Sequence, residues 1–161
     1  MRLYVMRHGP AVDRSPTGRD FDRRLTEDGR ALVQAMALAL RAAHGAPLPR
    51  VISSPRVRAR ETATIVVETM RLAHPTGEVE IDEELDGEQP IPSELVSALA
   101  SAGADALLVG HQPSVEDLCR SLVQPEPLPT LSFRAATIVV LERTDARFRV
   151  DSILDPRKVC P

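Results

Sequence analysis

Short apolar runs that end in turn residues, each followed by a helical repeat, constrain this chain most. Leu3 to Met6 is continuously apolar and stops at Arg7, His8, Gly9 and Pro10, as a strand buried on both faces of a parallel sheet does. Thr26 then caps a helix with Glu27 and Asp28 in its first turn, Leu32, Ala35, Met36, Ala39, Ala42 and Ala43 on one face, and a stop at Gly45. Val51 and Ile52 form a second strand ending in Ser53, Ser54 and Pro55. A helix from about Arg56 to Leu72 follows, with Ala59, Thr62, Ala63, Val66 and Met70 inward. The alternation continues with a strand at Val79 to Ile81, a helix over Ser93 to Ala102, a strand at Ala106 to Gly110 and a helix over Ser114 to Val123. Thr137 to Glu142 and Phe148 to Ile153 read as a closing hairpin over a turn at Thr144 to Ala146.

Strands alternating with helices predict an α/β fold: a three-layer α/β/α sandwich around a mostly parallel sheet. A length of 161 residues, 43% of them hydrophobic, is expected to make one domain spanning residues 1–161. The polar stretch from Pro10 to Arg24 reads as an exposed loop. Pro125 to Pro129 reads as a rigid surface connection.

Composition narrows the function classes. Twenty basic against 23 acidic residues leave a net charge of −3, so no global field attracts nucleic acid or an anionic membrane. Lys158 is the only lysine, which excludes a GxxxxGK[ST] phosphate loop and, at its place near the chain end, argues against a Schiff-base role. One Tyr, three Phe and no Trp argue against base-stacking platforms. No window has the length and apolarity of a membrane span, and the N-terminus lacks the pattern of a secretory signal. Cys119 and Cys160 do not make a disulfide framework; Cys119 falls in a helical pattern and reads as core. The expectation is a reduced, cytoplasmic, monomeric protein with no bound cofactor.

Ligands in open α/β sheets bind beyond the carboxyl ends of the strands. Those ends carry Arg7, His8 and Gly9 after the first strand, Ser53 and Ser54 with Arg58 after the second, and Gly110, His111 and Gln112 after the fourth. Two guanidinium forks and a helix amino end suit phosphate or carboxylate oxygens, and a neutral imidazole beside them can attack phosphorus. His8 is the expected nucleophile, with His111 donating to a phosphoryl oxygen and Gly9 admitting the backbone closely. Arg56 and Arg60 lie about 200° around the helix from Arg58 and read as solvated surface charges. His44 and His74 sit near helix C-termini, where an imidazolium suits the dipole. A Cys-x5-Arg phosphatase loop is excluded, since the residue six after Cys119 is Pro125. No carboxylate or cysteine accompanies His8 and His111 at metal-ligand spacing, so no metal is expected.

The stretches MRHGPA (6–11), DRRLTEDGR (22–30), SSPRVRARETA (53–63) and LLVGHQPSVEDL (107–118) together resemble the histidine phosphatase superfamily, and within it the small phosphohistidine phosphatases of the SixA type. The resemblance implies a histidine phosphatase fold without a large lid insertion. It also implies a metal-independent hydrolase in which Arg7, Arg58 and His111 hold the phosphoryl group around His8, with Gly9 beside them and Ser53 and Arg24 supporting the rim. Larger relatives place an acidic proton donor after the strand matching Val79 to Ile81; here the carboxylate-rich IDEELDGEQP offers Glu84 or Glu88 as general acid. Phosphohistidine needs less help from an acid than an alkyl ester does. With only Ala73 to Asp105 between the second helix and the fourth strand, an open pocket is expected. The implied substrate is therefore phosphohistidine on a protein, such as a histidine phosphotransfer domain. A small-molecule phosphate ester is the alternative within enzymes, and a non-catalytic phosphoprotein-binding module is the alternative outside them.

Overall fold

A computed structural model describes residues 1–45, 48–71, 77–124, 133–145 and 147–159. Six strands form one sheet: β1 (Arg2–Arg7), β2 (Arg50–Ser53), β3 (Val79–Ile81), β4 (Ala106–Gly110), β5 (Ile138–Thr144) and β6 (Arg147–Leu154). Their order is β3-β2-β4-β1-β5-β6. The first four strands in that order run parallel, and β5 and β6 join antiparallel. The α/β sandwich with a mostly parallel sheet expected from the strand and helix alternation is the observed architecture.

Successive side chains of a strand point to opposite faces, and β1 divides accordingly. Tyr4 and Met6 pack with α1 (Glu27–His44) and α2 (Val57–Arg71), whereas Leu3 and Val5 pack with α3 (Ser93–Ala102) and α4 (Ser114–Val123). All four are essentially inaccessible. Cys119 is buried in the second of these layers, where burial pushes its thiol well above the usual thiol range.

Helix α1 begins as expected. The Thr26 hydroxyl accepts from the Gly29 N–H at 2.9 Å, and Gly45 closes the helix in the left-handed conformation. Its buried face differs from the expected one: Gly29, Val33, Met36, Ala37 and Leu40 are buried, while Ala42 and Ala43 are exposed. Val33, Met36 and Leu40 offer more apolar area than the alanines, and the helix turns to bury them. The expected inward residues of α2 are all buried. A fifth helix, α5 (Pro156–Val159), was not foreseen. Asp155 starts it by accepting from the Arg157 N–H at 3.0 Å.

The stretch from Pro10 to Arg24 is not a simple exposed loop. Ala11 bridges to Leu25, Ser15 is buried, and a 3-10 turn at Asp20–Asp22 returns the chain to the strand ends. The expectations for Leu72, His74, Pro125 to Pro129, Ala146 and Cys160 fall outside the described residues.

Candidate active site

Parallel pairing brings the expected residues together. Arg7 lies opposite Gly110, and Ser53 opposite Val109, so β1, β4 and β2 end side by side. The bonds continue past the strands: the His8 N–H donates to the Gly110 carbonyl at 3.0 Å, and the Ser54 N–H to the Val109 carbonyl at 2.9 Å. Side chains mounted on three zipped strand ends are held rigidly.

His8 is fixed from both sides of its ring. Nδ1 lies 2.7 Å from the Gly9 carbonyl, which can only accept, so Nδ1 carries the proton. Nε2 then accepts from Arg58 Nε at 3.2 Å, and its lone pair is directed into the cationic site. Burial, opposed by the bond to the Gly9 carbonyl and assisted by Arg58, Arg7 and Arg23, holds the His8 pKa down to about 4. The ring is neutral at physiological pH.

The His111 ring lies 4.9 Å from the His8 ring and is buried. Ser54 Oγ accepts from the Arg56 N–H at 3.2 Å and contacts His111 Nε2 at 2.7 Å. The hydroxyl, with one proton and a second lone pair still free, holds the His111 ring at Nε2. The other ring nitrogen, Nδ1, is buried without a partner among the described residues. Burial, with His8 and Arg58 nearby, presses this imidazole down to about 2. Gly87 packs so closely that a Cβ there would come within 2.7 Å of His111 Cβ.

Arg7 Nη1 donates to the Phe133 carbonyl at 2.8 Å and to Gln112 Oε1 at 3.3 Å, and its buried Nε has no partner among the described residues. Burial lowers the pKa of both Arg7 and Arg58. Arg58 is nonetheless the better neutralised of the two. Its Nη1 donates to the Asp20 carbonyl at 2.8 Å and its Nη2 to Asp20 Oδ2 at 2.9 Å. Asp20 also accepts from Arg23 at 2.8 Å and from Arg56. Hydrogen bonding from Arg23, then Arg58 and Arg56, pulls the Asp20 carboxyl far below the usual carboxylate range.

Several expectations need correction. Gly9 is not free to hold a phosphoryl oxygen, because its N–H donates to Thr62 Oγ1 at 3.1 Å and its carbonyl serves His8. It works from behind the imidazole, where a Cβ would lie 2.5 Å from Val33 Cγ2. Arg56 is no solvated charge: it bridges Asp86 at 2.6 Å, Asp20, and Glu88 at 3.3 Å. The Ser53 hydroxyl bonds only the Ser54 carbonyl, and the serine that meets His111 is its neighbour Ser54. Arg24 is exposed and lines a separate surface depression with Arg60 and Glu61. Of the two general-acid candidates, Glu88 reaches Arg56 alone and Glu84 is exposed with only its backbone bonded, to Asp82. Neither contacts His8 or Arg58.

Asp20, Arg23, Ser54, Thr62 and Gly87 were missed as contributors. A signal existed for Ser54, which directly follows a strand, and for Asp20, the acidic residue three before Arg23 in a stretch otherwise rich in arginine. Thr62 and Gly87 act through packing that no spacing reveals.

Residues 3–87 match the family model described as histidine phosphatase superfamily (branch 1). The chain belongs to the histidine phosphatase superfamily. An uncharacterised protein of Picosynechococcus sp. is 31% identical over 156 residues, covering 92% of this chain and 89% of that one. Among solved structures, the protein histidine phosphatase SixA complexed with tungstate superposes with a TM-score of 0.83 at 26% identity over 99% of both chains. A protein from Nakamurella multipartitia assigned as phosphohistidine phosphatase SixA gives 0.74 at 26% identity, over 96% of this chain and 95% of that one. The near-complete overlap with SixA leaves no room for a lid inserted relative to that histidine phosphatase. Superfamily membership and the SixA likeness support a phosphatase hydrolase. Among the described residues no helix is long and apolar enough to cross a membrane, and no three His, Cys, Asp or Glu side chains gather as metal ligands.

Proposed function

We propose that this phosphatase removes the phosphoryl group from phosphohistidine on a protein, through a phosphohistidine formed on His8. The observation that carries the reading is the His8 tautomer: Nδ1–H is spent on the Gly9 carbonyl, and a neutral Nε2 lone pair faces Arg58. Nε2 attacks phosphorus in line, forming one N–P bond as the bond to the leaving imidazole breaks. Arg7 and Arg58 neutralise the charge on the equatorial oxygens, and the neutral His111 imidazole, whose ring lies 4.9 Å from that of His8, is the further donor to them. Water then attacks the phosphorus on His8, releasing inorganic phosphate and restoring Nε2. Tungstate held by the SixA relative fits a site for a tetrahedral oxyanion here.

The N–P substrate is supported by the carboxylates around the site: neither acid candidate bonds His8 or Arg58, and Asp20, which does reach Arg58, is held ionised by Arg23, Arg58 and Arg56 and has no proton to give. Glu84 and Glu88 stand apart from His8, whereas a leaving imidazole can take its proton before departure and needs no dedicated acid.

The test is phosphate release, without added metal, from a phosphotransfer domain phosphorylated on histidine and from a simple aryl phosphate, by wild type and His8→Ala. The reading expects rapid His8-dependent release from the phosphoprotein and vanadate binding retained by His8→Ala. Release from the aryl ester alone would transfer the site to small esters. No release from either, with phosphoprotein binding intact, would make the chain a binding module.

A further inference from the structure

Beside the catalytic pocket lies an open groove of about 480 Å³. Arg7 lines both. The groove floor is apolar, made by Pro10, Leu32, Ala135 and Pro156, and Arg134 and Arg157 stand on its rim. The two rim cations differ. Arg157 is held by Asp155, with Nη2 to Oδ2 at 2.6 Å and Nε to Oδ1 at 3.2 Å. Arg134 is exposed, and its side chain has no acceptor among the described residues.

The wall bearing Arg134 is tied to the chemistry. Arg7 Nη1 holds the Phe133 carbonyl, the Ala136 N–H donates to the carbonyls of Arg7 and His8 at 3.1 Å each, and the Arg7 N–H returns to the Thr137 carbonyl at 3.1 Å. Ala136 adopts a left-handed φ of 67°, which turns the segment across the end of β1. Five bonds, counting the Thr137 N–H to the Arg134 carbonyl at 3.0 Å, fix Arg134 relative to the nucleophile. A preformed wall lowers the ordering cost of binding an extended segment.

We infer that this groove receives the stretch of a protein substrate next to its phosphohistidine, an apolar side chain on the Pro10–Leu32 floor and an aspartate or glutamate on Arg134. The inference rests on the proposed phosphohistidine reading and adds the sequence chemistry the enzyme selects. A small ester with a second phosphate would meet Arg134 but would leave the apolar floor uncovered. A substrate chain satisfies both, and the shared Arg7 sets the groove directly alongside the phosphoryl site.

Three substrates separate the possibilities: free phosphohistidine, a peptide with phosphohistidine flanked by leucine and glutamate, and the same peptide with lysine for glutamate. Wild type is expected to favour the glutamate peptide over the lysine peptide by about tenfold in kcat/KM, mainly through KM. Arg134→Glu should abolish or invert that preference, Arg134→Lys should restore much of it, and both variants should turn over free phosphohistidine like wild type. Equal use of the two peptides by wild type overturns the inference. So does an Arg134→Glu variant that slows free phosphohistidine as much as peptide. If wild type releases phosphate from none of the three, the phosphohistidine reading itself fails; turnover of all three without preference removes only the groove.

Discussion

Asp20 grips Arg58 twice, through its carbonyl at 2.8 Å and its carboxylate at 2.9 Å, while the same guanidinium donates Nε to His8. The fork expected to hold a phosphoryl group thus already faces an internal anion, one that Arg23 and Arg56 also bind. Removing that carboxylate leaves the cations less neutralised and frees Arg58 Nη2, while Nη1 keeps the backbone carbonyl of residue 20. Asp20→Ala should therefore bind inorganic phosphate or vanadate more tightly, by roughly three- to tenfold, while kcat falls because Arg58 loses its orientation. Asp20→Asn, which keeps a hydrogen-bond acceptor but not the charge, should lie between. Competitive inhibition constants for phosphate and vanadate measure this; unchanged constants in Asp20→Ala would mean that the carboxylate does not compete with the substrate.

Ser54 holds His111, and its removal tests that contact. Ser54 is fully buried, and its hydroxyl serves both His111 Nε2 and the Arg56 N–H. Ser54→Ala strands both groups, at a cost of about 1–3 kcal/mol in stability. It also frees the His111 ring from its side-chain hydrogen-bond partner among the described residues. The expected signature is a kcat lowered about tenfold with KM changed little, and Ser54→Thr should recover part of it. A Ser54→Ala variant with normal kcat and lower thermal stability would reduce the serine to a packing role.

Gly9 matters for what stands behind it. A Cβ would meet Val33 Cγ2 at 2.5 Å and Leu25 Cδ2 at 3.2 Å, and the Gly9 carbonyl orients His8. Gly9→Ala should destabilise the fold by about 1–3 kcal/mol and depress turnover by shifting the imidazole. Because the nearest atom is one methyl of one side chain, Gly9→Ala combined with Val33→Ala should regain activity relative to Gly9→Ala alone. Thermal melts and kcat of the three variants check this, and an additive double variant would contradict the contact.

These examples mark how far the sequence could be read. The strand ends were legible because a continuous apolar run that stops at charged or turn residues has few other meanings in an α/β chain. That placed Arg7, His8, Arg58 and His111 on one rim. The partners were not legible. Asp20 reaches Arg58 across 38 residues, Ser54 reaches His111 across 57, and Glu61 caps the Leu25 N–H across 36. Such pairings depend on how a loop returns to the sheet, which local periodicity does not encode. Arg56 illustrates the same limit: helical geometry turns it away from Arg58's direction, yet the acidic loop after β3 comes to meet it.

The two buried imidazoles make stability depend on acid. His8 and His111 are held down to about 4 and about 2, first by burial, whereas the same side chains in the unfolded chain titrate near 6.5. Below about 6.5 the unfolded state binds protons that the folded state refuses, so unfolding gains on folding as pH falls. The stabilising contribution of neutral burial is whole above about pH 6.5. It declines through the window down to about 4 for His8 and continues to fall below that for His111. Melting temperature should therefore drop steadily from pH 7 to pH 4, and His8→Asn, which cannot take up a proton, should flatten part of that slope. Activity should persist well below pH 6.5, because the folded His8 remains neutral there. A melting profile flat between pH 7 and pH 4, or an activity limb with an apparent pKa near 6.5 in the free enzyme, would show that His8 titrates like an exposed histidine.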